Sequence, residues 1–199
     1  MPCTPKTSTR TVVSLAAACL LLAPVTGCGA SVTPEPTVDV ASHAPEVRDA
    51  PKAPAPTRLE VPSLGIDTTL MRLGLNDDGT VEVPPADKGM TAGWYAGGAV
   101  PGEPGAAVLI GHNDTRFGKA VFHDLHGVAK GADIAVSDGS GEEAHFTVTG
   151  TESVSKKAFP TEKVYGATDE RVLRLVTCDG AFDEDGHPVD NLIVYATLR

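Results

Sequence analysis

The stretch Val172-Leu173-Arg174-Leu175-Val176-Thr177-Cys178-Asp179-Gly180 is a run of aliphatic and β-branched residues closing on an Asp-Gly pair. That is the pattern of a buried strand running into a turn. Similar short runs recur on both sides of it. Ala107 to Ile110 is continuously apolar and ends at Gly111, while Leu192 to Ala196 closes the chain. Arg58-Leu59-Glu60-Val61, Thr80-Val81-Glu82-Val83 and Ala132 to Val136 alternate, Phe146 to Thr149 adds a further run, and Asp138-Gly139 offers a turn. Short runs punctuated by Gly, Pro and Asp point to an all-β barrel or sandwich. Helical periodicity is poor. The best short helices are expected near Ala120–Leu125 and Thr161–Tyr165. No internal repeat, phosphate-binding loop, dinucleotide fingerprint or EF-hand loop is present.

The 199 residues suit one compact domain with extensions, and 16 Pro and 21 Gly against a single Trp indicate many turns around a modest core. The formal charge of −10 and the lack of a basic run exclude a general nucleic-acid binder, which needs clustered Lys and Arg. Met1–Arg10 carries Lys6 and Arg10 and no acid, and an apolar stretch of signal-peptide length follows it. The stretch is too short for a comfortable membrane span. It closes on Val25-Thr26-Gly27-Cys28, which resembles a bacterial lipoprotein signal in which Cys28 takes the lipid and becomes the new N-terminus. Residues 1–27 are thus expected to be a signal, with the chain held on the outer face of the membrane through Cys28. Two or more acyl chains there satisfy the requirement for stable anchoring. Residues 28–57, with Pro34, Pro36, Pro45, Pro51, Pro54 and Pro56, bury too little apolar surface to repay ordering. They read as an extended tether, reaching roughly 3 Å per residue. The folded domain is expected over residues 58–199.

With Cys3 and Cys19 in the signal and Cys28 lipidated, Cys178 is unpaired in an oxidising compartment, where cysteines normally pair. Such a thiol is either buried and inert or retained for chemistry. Its position where a strand meets Asp179-Gly180 exposes it to attack. His112 has a matching context, just past the strand Val108-Leu109-Ile110 and Gly111. Two strand ends meeting at a barrel rim would give a Cys–His pair within hydrogen-bond reach. A nearby imidazolium favours the thiolate, which is the reactive form.

Three segments in this order resemble the signatures of sortases: Leu109-Ile110-Gly111-His112-Asn113-Asp114, Arg174-Leu175-Val176-Thr177-Cys178, and Asn191-Leu192-Ile193-Val194-Tyr195-Ala196. Gly93-Trp94-Tyr95, Pro101-Gly102-Glu103-Pro104-Gly105, Ala120-Val121-Phe122 and Asp179-Gly180 with Phe182 add to the likeness, most of all to the class F sortases of actinobacteria. The resemblance implies an eight-stranded β-barrel over residues 58–199. It also implies a cysteine transpeptidase acting on a C-terminal sorting signal of the Leu-Pro-x-Thr-Gly kind on secreted proteins. Cys178 would be the nucleophile and His112 the acid/base. The acyl group would pass through a thioacyl-enzyme to an amine acceptor, a cell-wall precursor or a protein lysine. No metal or organic cofactor is implied.

One feature departs from the family. Sortases carry an Arg on or just before the last strand, where Val189-Asp190-Asn191 stands here. Arg174 shares a strand face with Cys178 and is a substitute candidate. The departure leaves open a catalytically degenerate sortase-fold lipoprotein that binds peptides. Papain-like enzymes place Cys ahead of His, the reverse of the order here. Peptidoglycan L,D-transpeptidases show Ser-x-Gly-Cys, which Thr177-Cys178-Asp179-Gly180 does not match. His123, Asp124 and His126 lack the further clustered ligand that a metal site needs. Asp183–His187 reads as a solvated loop between the last two strands, and Trp94 as a core residue.

Overall fold

The computed structural model describes residues 53–182, 184 and 188–199. The expected signal, nearly all of the expected tether, and Asp183, Asp185, Gly186 and His187 lie outside the described residues. The strands are β1 (Pro56–Val61), β2 (Ile66–Leu73), β3 (Ala92–Tyr95), β4 (Gly105–Ile110), β5 (Asp114–Thr115) and β6 (Gly118–Lys119). They continue with β7 (Asp133–Asp138), β8 (Glu143–Ser155), β9 (Arg171–Phe182) and β10 (Pro188–Leu198). One short helix, α1 (Thr161–Tyr165), precedes β9. Eight strands close into a barrel in the order β1-β2-β3-β4-β9-β10-β8-β7, with β7 pairing back onto β1, while β5 and β6 form a separate ribbon. The all-β expectation resolves in favour of a closed barrel, which leaves no sheet edge to be covered.

Alternation along the strands sorts side chains between two cores. Leu59, Leu109, Phe146, Leu173, Leu175 and Val194 point inward and are fully buried, and Trp94 joins them at 2% exposure, donating its indole N–H to the Ala99 carbonyl at 3.0 Å. Val108, Ile110, Val176 and Ile193 point outward. They are buried all the same, in a second cluster with Leu73 and Val164 of α1, flanked by Tyr95, Phe159 and Tyr165. Because β4 is covered on both faces, it reads as a continuous apolar run rather than an alternating one, and β9 does so at Leu175-Val176, where the same cluster covers it.

Three elements differ from expectation. Thr80-Val81-Glu82-Val83 is not a strand; it lies in the β2–β3 connection, which makes one isolated bridge, Leu75 with Val81, and then reaches Pro84-Pro85, which cannot donate to a ladder. Ala120–Leu125 is not helical, because its amides are engaged elsewhere: Ala120 donates to Asn113, Val121 to Gly89 and Phe122 to His112, at 2.9–3.0 Å. Only a 3-10 turn, Leu125–Gly127, follows. The first strand starts at Pro56, within the span read as tether. The expected helix at Thr161–Tyr165 is α1.

Candidate active site

β4 and β9 are parallel neighbours, in register from Gly105 with Arg171 to Ile110 with Val176. Gly111 continues the ladder by donating to the Val176 carbonyl at 3.1 Å. His112 and Cys178 each stand two residues past the Ile110–Val176 pair, so His112, just beyond the end of β4, comes level with Cys178 within β9. Neighbouring strands lie about 4.8 Å apart. Both residues share parity with the outward-facing Ile110 and Val176, which places them on the barrel's outer wall rather than across its rim. On the other side of β9, the antiparallel β10 sets Asn191 directly opposite Cys178. β8 in turn sets Val154 opposite Asn191. Cys178, Asn191 and Val154 thus form one row across β9, β10 and β8, with His112, just past the end of β4, beside it.

His112, Cys178 and Asn191 all line a groove of about 730 Å³. Its apolar wall comes from Leu75, Val81 and Val83 of the β2–β3 connection, Tyr95 of β3, Phe159, and Tyr165 of α1. Leu75 and Val83 are 54% and 58% exposed, so the groove offers apolar surface to solvent. Tyr95 and Tyr165 meet edge to face at 5.7 Å. Burial, followed by the neighbouring Tyr95, pushes the Tyr165 hydroxyl up to about 12. Tyr165 therefore stays neutral in the groove at any physiological pH.

His112 is held both at its main chain and at its ring. Its carbonyl accepts the Phe122 amide at 2.9 Å, and its ring Nε2 lies 2.6 Å from the Pro84 carbonyl. A carbonyl only accepts, so Nε2 carries the proton in that contact, and the lone pair of the neutral ring is on Nδ1. Pro84 is buried. The connection that presents it is tied down by Gly74 donating to Glu82 Oε2 at 2.6 Å and by Asn76 donating to the Thr80 carbonyl at 2.8 Å. A histidine base oriented by a third group is the general arrangement for activating a nucleophile. Sequence reasoning missed Pro84, because a main-chain carbonyl leaves no mark on residue identity.

Cys178 is a free, half-buried thiol. β9 does not end in the turn expected at Asp179-Gly180 but runs on to Phe182, with its register against β10 shifting there. Gly180 has a φ of +79°, which suits glycine, and a Cβ there would also sit 2.3 Å from Asp190 Oδ2. Asp179 is anchored by the Ser153 hydroxyl, which donates to it at 2.7 Å.

Arg174 shares the outward face of β9 with Cys178 but not its groove. It lines a separate depression with Glu152, Lys163 and Tyr195. Four residues of strand put it roughly 13 Å away. Its guanidinium lies 4.8 Å over the Tyr195 ring and donates to the Leu173 carbonyl at 3.1 Å. Its buried Nε has no partner among the described residues, and burial lowers its affinity for the proton. Val189 is 38% exposed and falls where the β9–β10 register shifts. Among the described residues, no arginine lines the groove. His123 accepts a different role from metal binding, pairing with Asp114 of the β5–β6 ribbon at 2.9 Å. No group of three or more metal-ligating side chains occurs among the described residues.

Residues 59–199 match the family described as the sortase domain. No curated protein matches the sequence significantly. Among solved structures, the chain is similar to sortase A from Corynebacterium diphtheriae (lid mutant), at 18% identity over 73% of this chain and 70% of that one, with a TM-score of 0.57. It is similar to sortase C-1 from Actinomyces oris at 20% identity over 72% and 73%, TM-score 0.57. A Clostridium perfringens sortase D5 transpeptidase is 18% identical over 74% and 82%, TM-score 0.54. At these identities the structural likeness speaks to the fold.

Proposed function

We propose, from the premise that this chain belongs to the sortase family of cysteine transpeptidases, that Cys178 and His112 are its nucleophile and its acid/base. The observation that carries the proposal is the parallel β4–β9 register, which brings the two residues off adjacent strands into one groove. The substrate is a secreted protein bearing a C-terminal sorting signal, Leu-Pro-x-Thr-Gly or a variant of it. An apolar, partly exposed groove suits an extended peptide with an aliphatic residue ahead of the scissile bond. The Cys178 thiolate attacks the Thr carbonyl, and the C–S bond forms as the carbonyl π pair moves to oxygen. Collapse breaks the C–N bond, and the leaving amine takes its proton from protonated His112. An incoming amine, from a cell-wall precursor or a protein lysine, gives a proton back to His112 as it attacks the thioester. With Nε2 held on the Pro84 carbonyl, Nδ1 is the nitrogen that exchanges the proton.

By its motifs the chain falls with the class F sortases of actinobacteria. It works at the outer face of the cell membrane, held by lipid on Cys28 and a Pro-rich tether. Intact mass of the membrane-extracted chain tests the anchor: an unmodified Cys28 within an uncut N-terminus would sink it. The catalytic proposal is tested on the folded domain with a pool of sorting-signal peptides, reading intact mass for a thioacyl adduct. The expected result is an adduct on the wild type, none on Cys178→Ala, and release by an added amine. The absence of arginine from the described groove lining favours a second reading, a sortase-fold lipoprotein that binds peptides without acylation. Peptide binding without any adduct, with Cys178 alkylated no faster than a free thiol, would establish that second reading.

A further inference from the structure

Thiolate attack on an amide passes through a tetrahedral oxyanion, and the side chains of the Cys–His pair are engaged with the carbon and the leaving nitrogen rather than with that oxygen. A donor must lie beside the sulfur, on the same face, within the groove. The cross-strand position opposite Cys178 meets these conditions. Asn191 is the Cα partner of Cys178 on β10 and shares outward parity with Ile193, which belongs to the outer cluster. It is half-buried, and it lines the same groove. Side chains directly opposite on an antiparallel pair have Cβ atoms about 4.5–5.5 Å apart. That spacing lets a carboxamide reach an oxygen bonded to the carbon that Cys178 attacks. His112 flanks the sulfur from the other neighbouring strand, so an acyl group on Cys178 sits between imidazole and carboxamide.

We propose that the Asn191 carboxamide is the side-chain oxyanion donor of this enzyme, a catalytic residue that hydrogen-bonds through its NH₂ to the developing oxyanion. This rests on the transpeptidase reading. Asn191 transfers no proton: the former carbonyl oxygen gathers negative charge and accepts an N–H from Asn191, and the carbonyl re-forms as the amine leaves with the proton it takes from His112. The other groups on the page are less well placed. Lys156 also lines the groove, but it is exposed, in the turn after β8, and lies two positions beyond Val154, the register partner of Asn191. That is roughly 7 Å farther along the strand direction. Arg174 lies in another depression, and Thr177, which also borders the groove, has its hydroxyl buried, on the inward-facing parity of β9.

The test compares two reactions of one thiol. Thioacylation by a reactive sorting-signal peptide builds an oxyanion; alkylation by iodoacetamide does not. Asn191→Ala is expected to slow thioacylation by about 10²–10³-fold, the usual loss on removing one such donor, with KM unchanged and alkylation unchanged. The near-isosteric Asn191→Asp, which has the same shape and no donor, is expected to lose at least as much. Asn191→Arg, which restores a donor, is expected to recover part of the rate. Thioacylation by Asn191→Ala within threefold of wild type would overturn the inference. So would an equal fall in alkylation, which marks displacement of Cys178, or a loss that follows Lys156→Ala instead. A wild type that forms no thioester with any peptide sinks the transpeptidase reading and this inference with it. A reactive wild type beside an equally reactive Asn191→Ala sinks this inference alone.

Discussion

Gly111 lies between the Ile110 that anchors β4 and the His112 that faces the groove, and adding one methyl group there tests how tightly the imidazole is positioned. Its φ is not among the positive values, so alanine meets no backbone strain. The cost is steric. A Cβ at Gly111 would stand 2.5 and 2.7 Å from Phe122 Cδ2 and Cε2 and 2.8 Å from Val121 Cγ1. Phe122 is 1% exposed and Val121 6%, and Phe122 is bonded through its amide to the His112 carbonyl, so the wall has nowhere to retreat. Overpacking of this kind costs about 1–3 kcal/mol. For a domain of this size each kcal/mol lowers Tm by roughly 2–4 °C. Gly111→Ala is therefore expected to melt several degrees below wild type. Relieving the contact moves His112 by something like 1 Å, and displacements of that order cost about 10²-fold in rate. Thermal unfolding and the thioacylation rate are the two assays. Phe122→Leu in the Gly111→Ala background opens space at the clash, so the double variant is expected to regain rate and stability beyond the sum of the single changes. A Gly111→Ala protein with wild-type Tm and wild-type rate would refute the claim that this packing positions the imidazole.

His112→Ala is expected to lose about 10²–10⁴-fold in thioacylation, the usual worth of a positioned acid/base, while its far-UV circular dichroism stays that of the wild type; a loss below tenfold would remove His112 from the proposed mechanism. Arg174→Met is expected to thioacylate within threefold of wild type, since the guanidinium stands roughly 13 Å of strand from Cys178; a tenfold fall would return it to the active site. The Glu152 carboxylate accepts from Lys163 and from the Tyr195 hydroxyl, and these two contacts hold its pKa below the ordinary 4.5. A carboxylate depressed in the folded state stabilises above its unfolded pKa, and that contribution is lost as pH falls through the folded value. The Tm gap between wild type and Lys163→Met is thus expected to close as pH falls below the ordinary carboxylate value of 4.5, and a gap that widens toward acid would contradict it.

What the sequence disclosed, and what it concealed, follows from how each segment is stabilised. β4 was legible as a continuous apolar run because α1 and the aromatic residues beside it cover its outer face, as they cover Val176 of β9. Thr80–Val83 alternates as a strand does, but there the alternation serves the groove: Val81 and Val83 line it, while Glu82 turns back to the Gly74 amide. Ala120–Leu125 has helix-forming residues, and tertiary hydrogen bonds to Gly89, His112 and Asn113 overrode that local preference. The residues of the site were readable as types in suggestive contexts. Their adjacency was not, because it depends on the pairing of strands more than sixty residues apart. Asn191 illustrates the difference. As a letter it stood where an arginine was expected, and only the β9–β10 register turned it into the residue facing Cys178.

Parallel pairing is what makes such a site possible at all. Had β4 and β9 been antiparallel neighbours, their C-terminal ends would lie at opposite ends of the barrel, and a histidine after one strand could not meet a cysteine near the end of the other. The price is a long crossover, here filled by β5 through β8 and α1. That crossover also supplies part of the groove, through Phe159 and Tyr165, and the cover over Val108, Ile110 and Val176. β10 then returns antiparallel from the same end of β9, and near its start Asn191 falls opposite Cys178. The topology thus offers two flanking positions to one thiol: Asn191 is set by the β9–β10 ladder, and His112 stands two residues past the end of β4, held by its bonds to Phe122 and Pro84. Exchanging the side chain at the β10 position leaves the ladder intact. This is why an amide standing at that position is expected to change the rate of acyl transfer more than the ability to fold.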